Sequence, residues 1–383
     1  MSRALLALAV AGLAACGDGA PADFPPPRAA LHPLDGQLLY PVHVDDRPST
    51  YWFVIDTGAI KSAADETLVR DLQNGVGRIT LDLGAGIVVP DLEVFAADLS
   101  PAVAAIGVPI HGLIGQDLFP SLYFGLDYRR REVTAAPAIP RSAPPGFHVA
   151  DAVPVPYTLE QLLPIVEVPI GGHTARLIAD TGSGVTLLTE SFVSPELLAG
   201  ALGGYTWRTS YGSDPGRLVR LPALAFGAAT VTDEWAVVVP DDHHLRPVFD
   251  ALGLRVDGFL GYPVYRHFYL GVDGAASRYV AYPYPNADHL DAHEWDRVGV
   301  ELRREAGAVV IDMVLTPSGA ADAGVVVGDI LESVDDAPLD TSSLDDVRLL
   351  LRGAPGETRT LRLTRGAAPL TLAVTVDRLL PPR

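Results

Sequence analysis

The chain has 383 residues, 48% of them hydrophobic, enough for two or three domains with cores of their own. Its net charge of -19 speaks against nucleic acid as a partner, because holding phosphates requires clustered cations. The single cysteine, Cys16, excludes a disulfide within the chain.

In chain order, Arg3 is followed by an apolar run from Ala4 to Ala11 and then by Leu13-Ala14-Ala15. That run is too short to cross a bilayer and reads as a secretory signal over residues 1–15. With Cys16 next, the segment resembles a bacterial lipobox. The resemblance implies cleavage before Cys16, lipidation there, and a protein anchored outside the cytoplasm, in the bacterial cell envelope, facing the periplasm or on the cell surface. Residues 16–36, with Pro25-Pro26-Pro27 and no apolar periodicity, are expected to form an extended tether.

From Leu38 onward the pattern is one of short strands. Residues 37–44 and 50–55 read as a hairpin that feeds Asp56-Thr57-Gly58. Residues 165–170 and 175–178 flank Gly171-Gly172 and feed Asp180-Thr181-Gly182-Ser183 in the same way. Each phrase ends an apolar strand in a turn that presents a carboxylate. Downstream, Gly112-Leu113-Ile114-Gly115 is followed after twelve residues by Asp127, and Gly258-Phe259-Leu260-Gly261 after twelve by Asp273. Such a repeat implies two similar lobes about an approximate twofold axis, residues 37–141 and 142–286, with a site where they meet.

These four motifs, in this order, resemble the pepsin-type and retroviral aspartic peptidases. The resemblance implies that Asp56 and Asp180 are the catalytic pair, that Thr57 and Thr181 brace the two loops, and that Gly58 and Gly182 allow their close approach. Gly115 and Gly261 would fill positions where a side chain would collide with the loop. Two adjacent aspartates share one proton and titrate as a unit, which supplies both an acid and a base for the attack of water without metal or cofactor. The Ser183 hydroxyl is expected beside the Asp180 carboxylate, favouring its ionised form.

Asp56 and Gly115 lie 59 positions apart, Asp180 and Gly261 81. The surplus of the second half contains Tyr205 to Gly216, which reads as a hairpin and is the candidate flap, with Tyr211 and Gly212 near its tip. The first half offers only the shorter Asn74-Gly75-Val76-Gly77. Asp241-Asp242-His243-His244 is expected to be a solvated polar turn rather than a metal site, and Asp127 and Asp273 to be structural turn residues.

Residues 287–383 carry strands at 298–302 and 308–314, a small-residue turn, Gly328-Asp329-Ile330-Leu331, a helix opened by Ser343, and two closing strands. The order resembles a bacterial PDZ domain. That implies an extended peptide ligand, its terminal carboxylate held by backbone amides near Val298, Gly299 and Val300. The expected fold is mainly β, with two pseudo-twofold aspartic-peptidase-like lobes and a PDZ-like β-sandwich with one or two helices. The expected function is a monomeric, lipid-anchored aspartic endopeptidase acting on peptides or proteins. The alternative is a non-catalytic peptide-binding envelope lipoprotein that works through its PDZ domain.

Overall fold

A computed structural model describes residues 28–29, 36–100, 103, 109–209, 212–288, 290–339 and 342–381; Cys16 and Tyr211 lie outside them. Alternation builds the first strands: in β1 (Leu39–Val44), Tyr40, Val42 and Val44 are buried while Pro41 and His43 are partly exposed. β1 pairs with β2 (Tyr51–Ile55), followed by β3 (Ala63–Asp65), β4 (Arg70–Gln73), β5 (Val76–Gly84), β6 (Ile87–Ala97) and β7 (Gly112–Ile114). Their order is β1-β2-β7-β3-β6-β5-β4, and a further β1–β5 pairing curls the sheet on itself. Two strands then leave this sheet, β8 (Tyr123–Asp127) and β9 (Glu132–Ala136).

The second half repeats the plan with β10 (Leu163–Ile170), β11 (His173–Ala179), β12 (Leu187–Thr189), β13 (Leu202–Thr209), β14 (Gly212–Arg220), β15 (Trp235–Val239) and β16 (Gly258–Leu260). They run in the order β13-β14-β15-β12-β16-β11-β10. The halves agree in pairing as well as in order. β2 lies parallel to β7 as β11 does to β16, and β3 and β12 each run antiparallel to those same partners.

Strands β17 (Phe268–Asp273) and β18 (Arg278–Pro283) join β9 and β8 in a sheet shared by both halves, in the order β9-β8-β17-β18. Gly125 of β8 pairs with Gly271 of β17 at its centre. A Cβ on Gly125 would lie 1.8 Å from the Tyr269 hydroxyl, and one on Gly271 2.6 Å from that of Tyr123, so each glycine makes room for the other half's tyrosine. Arg28–Ala29, within the segment expected as a tether, pairs with the free side of β9.

The C-terminal sheet contains β19 (Val300–Glu305), β20 (Ala308–Val314), β21 (Ile330–Val334), β22 (Thr358–Arg365) and β23 (Ala368–Thr375) in sequential order. Ser343 caps the helix Leu344–Leu350 reciprocally with Asp346, and Leu344, Val347 and Leu351 turn inward. The fold is thus mainly β: two related lobes and a PDZ-like sheet.

A continuous apolar cluster fastens that sheet to the second lobe. Leu202, Trp207, Leu218 and Trp235 share it with Trp295, Leu315, Leu379 and Leu380. The rings of Trp235 and Trp295 meet edge to face at 5.2 Å. Beside them Arg266, itself buried, grips buried Glu234 through Nε and Nη2 and reaches Glu294 at 2.8 Å.

Candidate active site

Both Asp-Thr-Gly phrases sit where a core strand ends. β2 stops at Ile55 and the Asp56 N–H donates to Ile114 O; β11 stops at Ala179 and the Asp180 N–H donates to Leu260 O, each at 2.9 Å. The turn then folds back on its own carboxylate. Asp56 Oδ1 accepts the N–H groups of Gly58 (3.0 Å) and Ala59 (2.9 Å), and Asp180 Oδ1 that of Gly182 (2.8 Å).

The two loops meet face to face. A Cβ on Gly58 would stand 2.4 Å from Asp180 Cγ, and one on Gly182 2.5 Å from Asp56 Cγ, so only glycine lets each loop pass under the opposite carboxyl. Below them the threonines cross. Thr57 Oγ1 donates to Ala179 O and Thr181 Oγ1 to Ile55 O, both at 2.6 Å. Each hydroxyl also accepts the other threonine's N–H at 3.0 Å. Four buried hydrogen bonds therefore fix the separation of the carboxyls.

Gly115 and Gly261 lie against the same loops. A Cβ would fall 2.6 Å from the Lys61 carbonyl carbon in one half and 2.1 Å from Val185 O in the other. Their N–H groups donate to Ser62 Oγ (3.0 Å) and Thr186 Oγ1 (3.3 Å), hydroxyls six residues after each aspartate. That repeated offset is a signal in the sequence that went unread. So did two glutamines: Gln116 Nε2 donates to Thr57 O at 2.7 Å and Gln37 Nε2 to Gly182 O at 2.8 Å, steadying one loop each.

The carboxyls are partly buried and hydrogen-bonded to each other. Burial, then the neighbouring Asp56 charge and hydrogen bond, hold Asp180 well above the usual carboxylate range. Burial also raises Asp56, opposed by its bond to Asp180 and by the Ala59 and Gly58 amides. One proton thus stays with the pair. The Ser183 hydroxyl takes no part in this: it donates to Val185 O at 2.8 Å, because the turn directs it along the chain rather than at the carboxylate.

The other expected sites are placed as follows. Gly212 opens β14 and pairs with Thr209 of β13. Asp241-Asp242-His243-His244 is not a solvated turn throughout. His243 is buried between Trp207 and Phe249, and His244 bonds Asp214 through Nδ1 and Thr209 Oγ1 through Nε2 (2.7 Å). The long β13–β14 hairpin supplies apolar and polar partners that the local sequence could not reveal. Asp127 accepts from the Arg130 N–H (2.9 Å) and the Tyr284 hydroxyl (2.8 Å), and Asp273 from Arg278 Nε (2.8 Å), as turn supports. Val298, Gly299 and Val300 are buried, and the Val298 N–H donates to Leu351 O at 3.1 Å.

Residues 166–264 match the family model described as aspartyl protease, and residues 312–365 the one described as PDZ domain. The chain therefore carries an aspartyl protease domain followed by a PDZ domain. No curated protein matches it. Among solved structures it is similar to a photosystem II D1 C-terminal processing protease, with 26% identity over 23% of this chain, and a TM-score of 0.22. The match spans 25% of that structure's chain.

Proposed function

We propose that the protein is an aspartic endopeptidase, of the pepsin and retropepsin kind, in which Asp56 and Asp180 act on one water molecule. The observation that carries this reading is the cross-bracing of the two loops: Thr57 and Thr181 each bond the opposite strand, and each glycine passes under the opposite carboxyl. Holding two acids in contact costs free energy, and an arrangement used only for binding has no need of it.

Chemically, the pair enters the reaction with one proton, which we assign in this proposal to Asp180. The Asp56 carboxylate takes a proton from the water as its oxygen bonds to the scissile carbonyl carbon, while Asp180 gives its proton to the carbonyl oxygen. Collapse of the tetrahedral diol returns a hydroxyl proton to Asp180. Asp56 passes its proton to the departing nitrogen, and the C–N bond breaks. The cycle ends with the starting protonation and no covalent intermediate.

The β13–β14 hairpin is the proposed flap over the substrate; Tyr211, expected from the sequence near its tip, lies outside the described residues, and Gly212 opens β14. The corresponding hairpin of the first half, β4–β5, turns at Asn74-Gly75 and its first strand is only four residues long, so we read the longer β13–β14 hairpin as the main cover. Cys16 is the proposed lipid attachment point, which places the lobes outside the cytoplasm as a monomeric unit facing peptides or proteins of the envelope. Cleavage of a diverse peptide library from acid to neutral pH, beside Asp56→Asn and Asp180→Asn, tests the reading. Loss in both variants supports it, whereas cleavage that survives either one removes the dyad as its source.

A further inference from the structure

The β13–β14 hairpin is met along its outer strand by the C-terminal domain. Gly203 N–H donates to Thr316 O at 2.7 Å, and Thr316 N–H to Gly203 O at 3.0 Å. At Gly204, φ is +81° and a Cβ would fall 2.0 Å from Val314 O, so the contact demands glycine. Nearer the tip, the Thr206 N–H lies 3.3 Å from the Met313 sulfur, and Arg208 pairs with Asp312, which Arg303 also holds at 3.1 Å. Residues 203 to 208 thus run against 316 to 312 in antiparallel order. The tip end of the hairpin is tied elsewhere: Thr209, which ends β13, and Asp214 of β14 both bond His244.

A peptide adding to β19 would have to enter between that strand and the helix Leu344–Leu350. There the Val298 N–H is bonded to Leu351 O at one end, and Arg304 bonds Ser342 O at the other. Among the described residues β19 has no strand partner besides β20.

We propose that the C-terminal domain acts as a brace that sets the position of the β13–β14 hairpin, with Arg208 as a positioning residue that works through Asp312. The positioning role rests on the peptidase reading above; the brace itself does not. The Arg208 side chain is 47% exposed, and pairs of that kind add little to stability, so its loss changes hairpin position rather than the fold.

The test measures hydrogen exchange over residues 203–209 and 212–216 in the full-length protein, together with KM and kcat on fluorescein-labelled casein. In Arg208→Ala, exchange is expected to quicken about threefold and KM to rise about threefold, with kcat unchanged; Arg208→Lys restores both. Gly204→Ala, which strains the backbone contact, is expected to quicken exchange in the same segments. Unchanged hairpin exchange in both Arg208→Ala and Gly204→Ala would overturn the brace. Faster exchange with unaltered KM would overturn the positioning role. Faster exchange in a protein whose wild type cuts nothing would keep the brace and overturn the peptidase reading instead.

Discussion

Replacing Thr181 by valine preserves the side chain's shape and removes its hydroxyl. That hydroxyl donates to Ile55 O at 2.6 Å and accepts the Thr57 N–H at 3.0 Å, and both partner residues are buried. Each buried group left without a partner costs about 1–3 kcal/mol, so the variant should lose about 2–6 kcal/mol of stability. Thr181→Ser keeps both bonds and loses one methyl, for a cost of about 1 kcal/mol. Urea unfolding of the three proteins, followed on the transition that contains the lobes, separates the cases. Thr57→Val should cost less than Thr181→Val, because Ala179 O keeps the Tyr279 hydroxyl at 3.1 Å. The double variant should cost less than the sum, because both residues serve one brace. A Thr181→Val protein no less stable than Thr181→Ser would refute the claim that the crossed hydroxyls hold the two loops together.

Protonation of the pair links stability to pH. Burial raises both carboxyls, so the folded protein retains a proton that the unfolded chain releases near pH 4. Stability should therefore fall as pH rises from about 4 through the raised pKa and then level off, and Asp180→Asn should flatten that slope in pH-dependent denaturation. Ser183→Ala should leave the pH profile of cleavage in place, since its hydroxyl serves Val185 O; a shifted profile would return it to the dyad. Glu234→Ala strips buried Arg266 of its main partner and should cost about 3–5 kcal/mol by chemical denaturation, a loss that Glu234→Asp recovers only in part.

Most of the core was legible because it is built twice. The duplicated Asp-Thr-Gly phrase, the paired Gly115 and Gly261, and the equal spacing to Asp127 and Asp273 announced two lobes. The pairing of Gly125 with Gly271 is the physical expression of that equal spacing. The Ser343 cap and the inward face of Leu344, Val347 and Leu351 were local signals, readable from a few residues.

What escaped notice depends on contacts between distant segments. Gln37 reaches Gly182 across 145 positions, and nothing in its neighbourhood distinguishes it from a surface glutamine. His243 and His244 read as solvated because the hairpin that covers them lies some thirty residues earlier. The docking of Gly203 on Thr316 has no local mark beyond a pair of glycines. Ser183 misled for the opposite reason: adjacency in sequence suggested a bond to Asp180 that the turn's direction excludes.

The central claim is that Asp56 and Asp180 form one hydrolytic pair, and the most direct measurement is peptide-library cleavage by the wild type, Asp56→Asn and Asp180→Asn, across acidic to neutral pH. The account predicts cleavage by the wild type and a loss of at least about a hundredfold in each variant, the scale expected when one acid-base partner is removed. Equal cleavage by the wild type and either variant, or no cleavage by the wild type at any pH, would contradict it.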